Sequence, residues 1–102
     1  MGKTYAGVSV NVNEEGYLTD LNQWTKEIAT EMAAEEELEL SDDHWKVFDY
    51  LQEQQRNEVS LSIRKVGKSG VVSIKEFYAL FPKGPLKISS KLAGIPKPAS
   101  CI

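Results

Sequence analysis

The sequence predicts a mainly α fold with a small N-terminal β-hairpin: an orthogonal helical bundle with a helix-turn-helix-like segment and a mobile C-terminal arm. Three observations carry this. Apolar residues recur at helical spacing in several separate stretches, capping residues stand in front of those stretches, and alternation with a period of two is confined to one stretch near the start. The chain has 102 residues, about the size of one small domain. Apolar residues make up 41% and charged residues 26%, which suits a folded soluble protein and excludes a disordered one.

Val8, Val10 and Val12 alternate with Ser9, Asn11 and Asn13, as a half-buried strand requires. Asn13-Glu14-Glu15-Gly16 supplies turn chemistry and Tyr17-Leu18 begins the return, so a hairpin is expected within about 5–20. The helical bundle follows over about 22–94. Asp20 or Asn22 caps a first helix that carries Trp24, Ile28 and Met32 at i, i+4 spacing. Ser41 caps a second, in which Asp42 and Asp43 lie at the positive end, Trp45, Val47, Phe48 and Leu51 form the apolar stripe, and the polar run Gln52 to Glu58 closes it. A short helix is expected over 61–66, ended by Gly67. Ser73 and Glu76 form a capping box before a helix whose apolar face is Ile74, Phe77, Tyr78, Leu80 and Phe81, stopped by Pro82. Pro85 suits the first position of a last helix to Ala93, with Gly94 just past its end. Residues 1–94 then make a single compact domain, and 95–102, with Pro96 and Pro98, a flexible extended arm.

Charge excludes some functions. A formal charge of −3 argues against direct nucleic-acid binding through bulk positive charge, although Arg64, Lys65, Lys68, Lys75, Lys83, Lys87, Lys91 and Lys97 make the last third basic. The helix pair 61–66 and 74 onward has the layout of a helix-turn-helix. Two packed helices are the preferred reading, because Lys75 stands alone where several base-reading side chains are needed. No stretch approaches the roughly 20 apolar residues that cross a membrane, and the start lacks a signal core, so a cytoplasmic protein is expected. One cysteine and one histidine give no clustered metal spacing; no metal and no cofactor are expected. Gly67-Lys68-Ser69-Gly70 reads as a turn, since the full phosphate-loop pattern is missing.

Cys101 is the sole cysteine, next to the end of the arm. Composition alone favours a free cysteine buried as a small apolar side chain. Its position argues the other way, because two prolines hold the arm off the domain and an extended arm carries the sulfur on the order of 20 Å. An ordinary thiol is only about 3% ionised at pH 7, and the adjacent carboxylate opposes ionisation further, so Cys101 suits carrying a group more than turning over a substrate. His44, the one histidine, lies in a first helical turn and reads as a packing residue before a catalytic one.

Glu15-Gly16-Tyr17-Leu18, the Trp24 helix, Leu40 with His44-Trp45, Leu80-Phe81-Pro82-Lys83-Gly84-Pro85, and Ala93-Gly94-Ile95-Pro96-Lys97-Pro98 with Cys101 closely resemble the DsrC/TusE family. The resemblance implies a sulfur carrier that accepts and transfers sulfane sulfur as a persulfide on Cys101. Lys83, Lys87, Lys91 and Lys97 would guide docking. A second family cysteine aligns with Ser90, which places the chain nearer the single-cysteine TusE type. About eight residues are missing between Trp45 and Phe81 relative to the family pattern. The implied partners are a sulfur-donor complex of the TusBCD/DsrEFH type and an acceptor enzyme, either a tRNA thiouridylase or sulfite reductase. A gamma-subunit-like partner or regulator of dissimilatory sulfite reductase is the alternative. A helix-turn-helix DNA-binding regulator ranks third.

Overall fold

The computed structural model describes residues 2–96. Strand β1 (Gly2–Tyr5) pairs antiparallel with β2 (Val8–Asn11), Tyr5 opposite Val8 and Gly2 opposite Asn11. Ala6 and Gly7 form the connection with φ of 51° and 75°, the left-handed pair that matches the twist of a tight hairpin. The regular hairpin therefore lies N-terminal to the expected one. The turn at 13–16 also forms: Asn13 Oδ1 accepts the amides of Glu15 (2.9 Å) and Tyr17 (3.0 Å), but the ladder beyond it is a single bridge, Val12 to Leu18.

The first helix also starts later than expected. Asp20 caps only a 3-10 turn, Leu21–Gln23, while Thr25 accepts the Ile28 amide and opens α1 (Lys26–Glu35). Trp24 lies in the extended residue between them, off the helix. Helix α2 (Asp42–Arg56) begins where Ser41 predicts. Helix α3 covers Ile63–Lys68 instead of 61–66, because Ser62 accepts the Lys65 amide as cap. Gly67 is inside α3, not at its end, for a packing reason: a Cβ there would lie 2.3 Å from Ile74 Cγ1. The Ser73 and Glu76 box opens α4 (Ile74–Leu80) as its sequence indicates. Within α4 only Phe77 is fully buried; Ile74 and Tyr78, expected on the apolar face, are 44% and 48% exposed. Helix α5 runs Pro85–Ala93.

Helix α5 packs against α1, α2 and α4, while α3 packs on α4 and β1 on α1. Phe81 sits among rings: Phe77 at 5.8 Å, Phe48 at 6.0 Å, and His44 at 5.0 Å edge-on. Such edge contacts add to the area these rings bury. Leu86, Leu92, Ile28 and Leu51 complete this core.

Candidate functional site

The C-terminal end of α5 is where the chain leaves the core toward Cys101. A helix end leaves its last four carbonyls without helical partners, to be taken by a tightened last turn, side chains or water. Here each is closed from within the protein. Gly94, with φ of 79°, turns the chain so that its amide donates to Lys91 O (3.2 Å) and the Ile95 amide to Ser90 O (3.2 Å), the double bond of a Schellman turn. The two remaining carbonyls receive side chains from distant elements. Trp24 Nε1 donates to Leu92 O at 2.7 Å, and Gln52 Nε2, from α2, to Ala93 O at 2.8 Å.

This end is also tightly packed. A Cβ on Gly94 would lie 2.6 Å from Trp24 Cδ1, so glycine is needed for contact as well as for φ. Ile95, expected to open the arm, is fully buried, and the compact part reaches at least to it. Gln52, read from sequence as part of a polar helix end, is 4% exposed. Ser90 Oγ is buried with no hydrogen-bond partner among the described residues. At this position the family resemblance places a second cysteine, whose thiol would lose little by going unpaired.

His44 is a packing and capping residue. The Ser41 amide donates to Nδ1 at 3.0 Å, so Nδ1 is bare and Nε2–H donates to Leu80 O at 3.0 Å. The ring thus ties the start of α2 to the end of α4. Of the candidate docking lysines, Lys83 and Lys87 are exposed. Lys91 is not free: its Nζ pairs with Glu36 at 3.2 Å, both only about one-fifth exposed, and its stem lies under Gly16. Cys101 and Lys97 lie outside the described residues. The acidic run Glu35-Glu36-Glu37 contributes two ties, Glu36 to Lys91 and Glu35 to Lys3 and Tyr5. Burial alone would raise the Glu35 carboxyl; the bonds from Tyr5 and Lys3 outweigh it and hold the group below its ordinary value. Among the described residues no cluster of His, Cys, Asp or Glu could hold a metal, and no helix is long and apolar enough to cross a membrane.

Sequence reasoning missed Trp24 and Gln52 as partners of α5. Their acceptors are 68 and 41 residues away, and nothing local to either residue signals them. These features define a class: small helical bundles with an N-terminal hairpin, whose last helix is pinned into the core at its C-terminal end. The chain belongs to the DsrC family, whose model, described as DsrC like protein, matches residues 4–102. It is 37% identical over 106 residues to the sulfurtransferase TusE of Salmonella typhimurium, covering 96% of this chain and 97% of that one. It is also 37% identical over 101 residues to the dissimilatory-type sulfite reductase subunit gamma of Nitratidesulfovibrio vulgaris, covering 97% and 96%. The NMR structure of Allochromatium vinosum DsrC superposes with a TM-score of 0.82 at 36% identity over the whole of both chains. These names support a sulfur-relay carrier role.

Proposed function

We propose that this protein carries sulfane sulfur as a persulfide on Cys101, receiving it from a donor complex of the TusBCD/DsrEFH type in the cytoplasm and delivering it to an acceptor enzyme. One observation carries the reading: the family match runs through residue 102 and so includes the chain's sole cysteine. In the charging step the Cys101 thiolate attacks the outer sulfur of a donor persulfide. The donor's S–S bond breaks, its thiolate leaves and takes up the proton that Cys101 gave up, and a new S–S bond forms on Cys101. No net oxidant is consumed. Delivery is the same exchange in reverse, onto a thiol of the acceptor. Lys83 and Lys87, both exposed, and Lys97 supply positive charge for docking. Lys91 serves the fold through Glu36.

Ser90 favours the single-cysteine mode, because without a second thiol there the chain cannot close an internal disulfide with Cys101. The acceptor is then a tRNA thiouridylase. Alignment length supports a second reading. The TusE alignment is longer than this chain and must be gapped, whereas that to the gamma subunit is shorter. The chain's length is therefore nearer that of the gamma subunit, which favours partnership with a sulfite reductase. Intact-mass measurement after incubation with glutathione persulfide tests the carrier chemistry. An adduct of about 32 Da on the wild type, absent from Cys101→Ser, is expected. No adduct, or an equal one on the variant, would overturn it. Co-purification with a thiouridylase or with a sulfite reductase separates the two pathways.

A further inference from the structure

We infer that Trp24 and Gln52 are positioning residues for sulfur transfer: by closing the Leu92 and Ala93 carbonyls they fix the point from which the Cys101 segment leaves the core. The inference rests on the carrier reading and goes beyond it. A tethered thiol that must enter a partner's cleft works from an effective concentration set by tether length and anchor position. Cys101 stands six positions beyond buried Ile95, a reach of at most about 20 Å. A shift of the anchor shifts the whole volume that the sulfur can reach.

The construction of the anchor exceeds what helix stability demands. The Schellman turn at Gly94 already satisfies the Ser90 and Lys91 carbonyls. An ordinary helix would leave the last two to water, at little cost. Here two elements, the segment before α1 and the middle of α2, each send one N–H donor to them, at 2.7 and 2.8 Å. Gln52 is buried to do so, which costs side-chain entropy and desolvation that an apolar residue at this core position would avoid. The two donors approach from different elements. Together with the Gly94 contact on the Trp24 ring, they fix the last peptide groups of α5 in both position and orientation. The bond exchange on Cys101 is unchanged; what the two residues set is where that sulfur starts from.

Trp24→Phe keeps the ring but removes the donor, and Gln52→Met keeps length and packing but leaves Ala93 O unpaired. Each would be compared with the wild type and with Gly67→Ala, a destabilised control in α3. Two donors would be used: glutathione persulfide, which diffuses freely, and a persulfide-loaded donor complex of the TusBCD type. Unchanged charging by glutathione persulfide is expected, with transfer from the protein donor about tenfold slower in Trp24→Phe and Gln52→Met but not in Gly67→Ala. Equal transfer by variants and wild type would overturn the inference. So would an equal slowing with both donors, or an equal slowing in Gly67→Ala. Should the variants fail to fold, hydrogen exchange on the wild type decides: the Ile95 amide must be as protected as the core, and rapid exchange there would refute a fixed anchor. Absence of any adduct on the wild type with either donor would instead sink the carrier reading itself.

Discussion

Two glycines with nearly the same backbone separate conformation from contact. Gly94 and Gly70 have φ of 79° and 85°, but a Cβ on Gly94 meets the Trp24 ring and one on Gly70 meets nothing within 4 Å. Gly70→Ala should therefore cost only the left-handed penalty, about 1 kcal/mol. Gly94→Ala should cost about 3 kcal/mol or more, because the ring must also move. Urea unfolding midpoints check this, and equal losses would show that Trp24 does not constrain the turn. Gly94 was legible as a helix stop because Pro85 and the apolar spacing of Leu86, Ile88 and Leu92 point to it. Gln52 was not, since a glutamine in a polar run looks like solvated helix whether or not a carbonyl waits opposite it. Ser90 is a similar case: its family alignment was readable, but its unpaired hydroxyl depends on packing from other elements. Ser90→Ala should leave stability unchanged or raise it by about 1 kcal/mol, because removing an unpaired buried hydroxyl removes a desolvation cost. A clear loss of stability in thermal unfolding would mean that the hydroxyl has a partner after all.

Three helix starts were readable; those capped by Thr25 and Ser62, and the elements defined by contact, were not. Ser41, Ser73 and Pro85 name their helix starts because the side chain or ring satisfies local geometry within three residues. The hairpin was displaced because Asn13 to Gly16 has stronger turn residues than Tyr5-Ala6-Gly7-Val8, yet the ladder forms at the latter. What holds it there is tertiary. Tyr5 Oη donates to Glu35 at 2.8 Å, and Lys3 Nζ lies 3.1 Å from the other carboxylate oxygen, fastening β1 to α1. This clip has a pH signature. Glu35 titrates below its ordinary 4.5, so the folded state favours its ionised form. Its contribution is complete above that ordinary value and disappears as pH falls through the lower folded value. Lys3 is held above its ordinary 10.5, first by Tyr5 and then by Glu35, so its share is present at neutral pH and fades only as pH rises through the raised value. Both partners are partly exposed, and screening keeps the effect under about 1 kcal/mol. Between about pH 5 and pH 3 the wild type should lose more stability than Glu35→Gln, read from urea midpoints. Parallel curves would mean that the clip contributes nothing in solution.

At the scale of the whole molecule the contacts are graded around α5. It touches α1, α2 and α4, whereas α3 packs on α4 and the hairpin reaches the bundle through β1 and α1. Elements lightly packed on the bundle, such as α3 and the hairpin, can open without unfolding the rest; α5, with three packed neighbours, and α2, whose Phe48 and Leu51 are buried in the core and whose Gln52 bonds to Ala93 O, cannot. The expected order follows from this. Amides of α3, such as Val66, and of β1 and β2 should exchange through local openings of low free energy and weak denaturant dependence. Amides of α2 and α5, and the Ile95 amide held by Ser90 O, should exchange only with global unfolding, with the full denaturant slope. Residue-resolved hydrogen exchange at increasing urea reads both quantities at once. Equal protection in α3 and α5 would show a single cooperative unit without gradation, and low protection at Ile95 would place the anchor among the loose elements. The order has a functional logic under the carrier reading. A thiol that visits two partners needs a base that does not move while those partners bind, and α5 is the helix that the fold can least easily release.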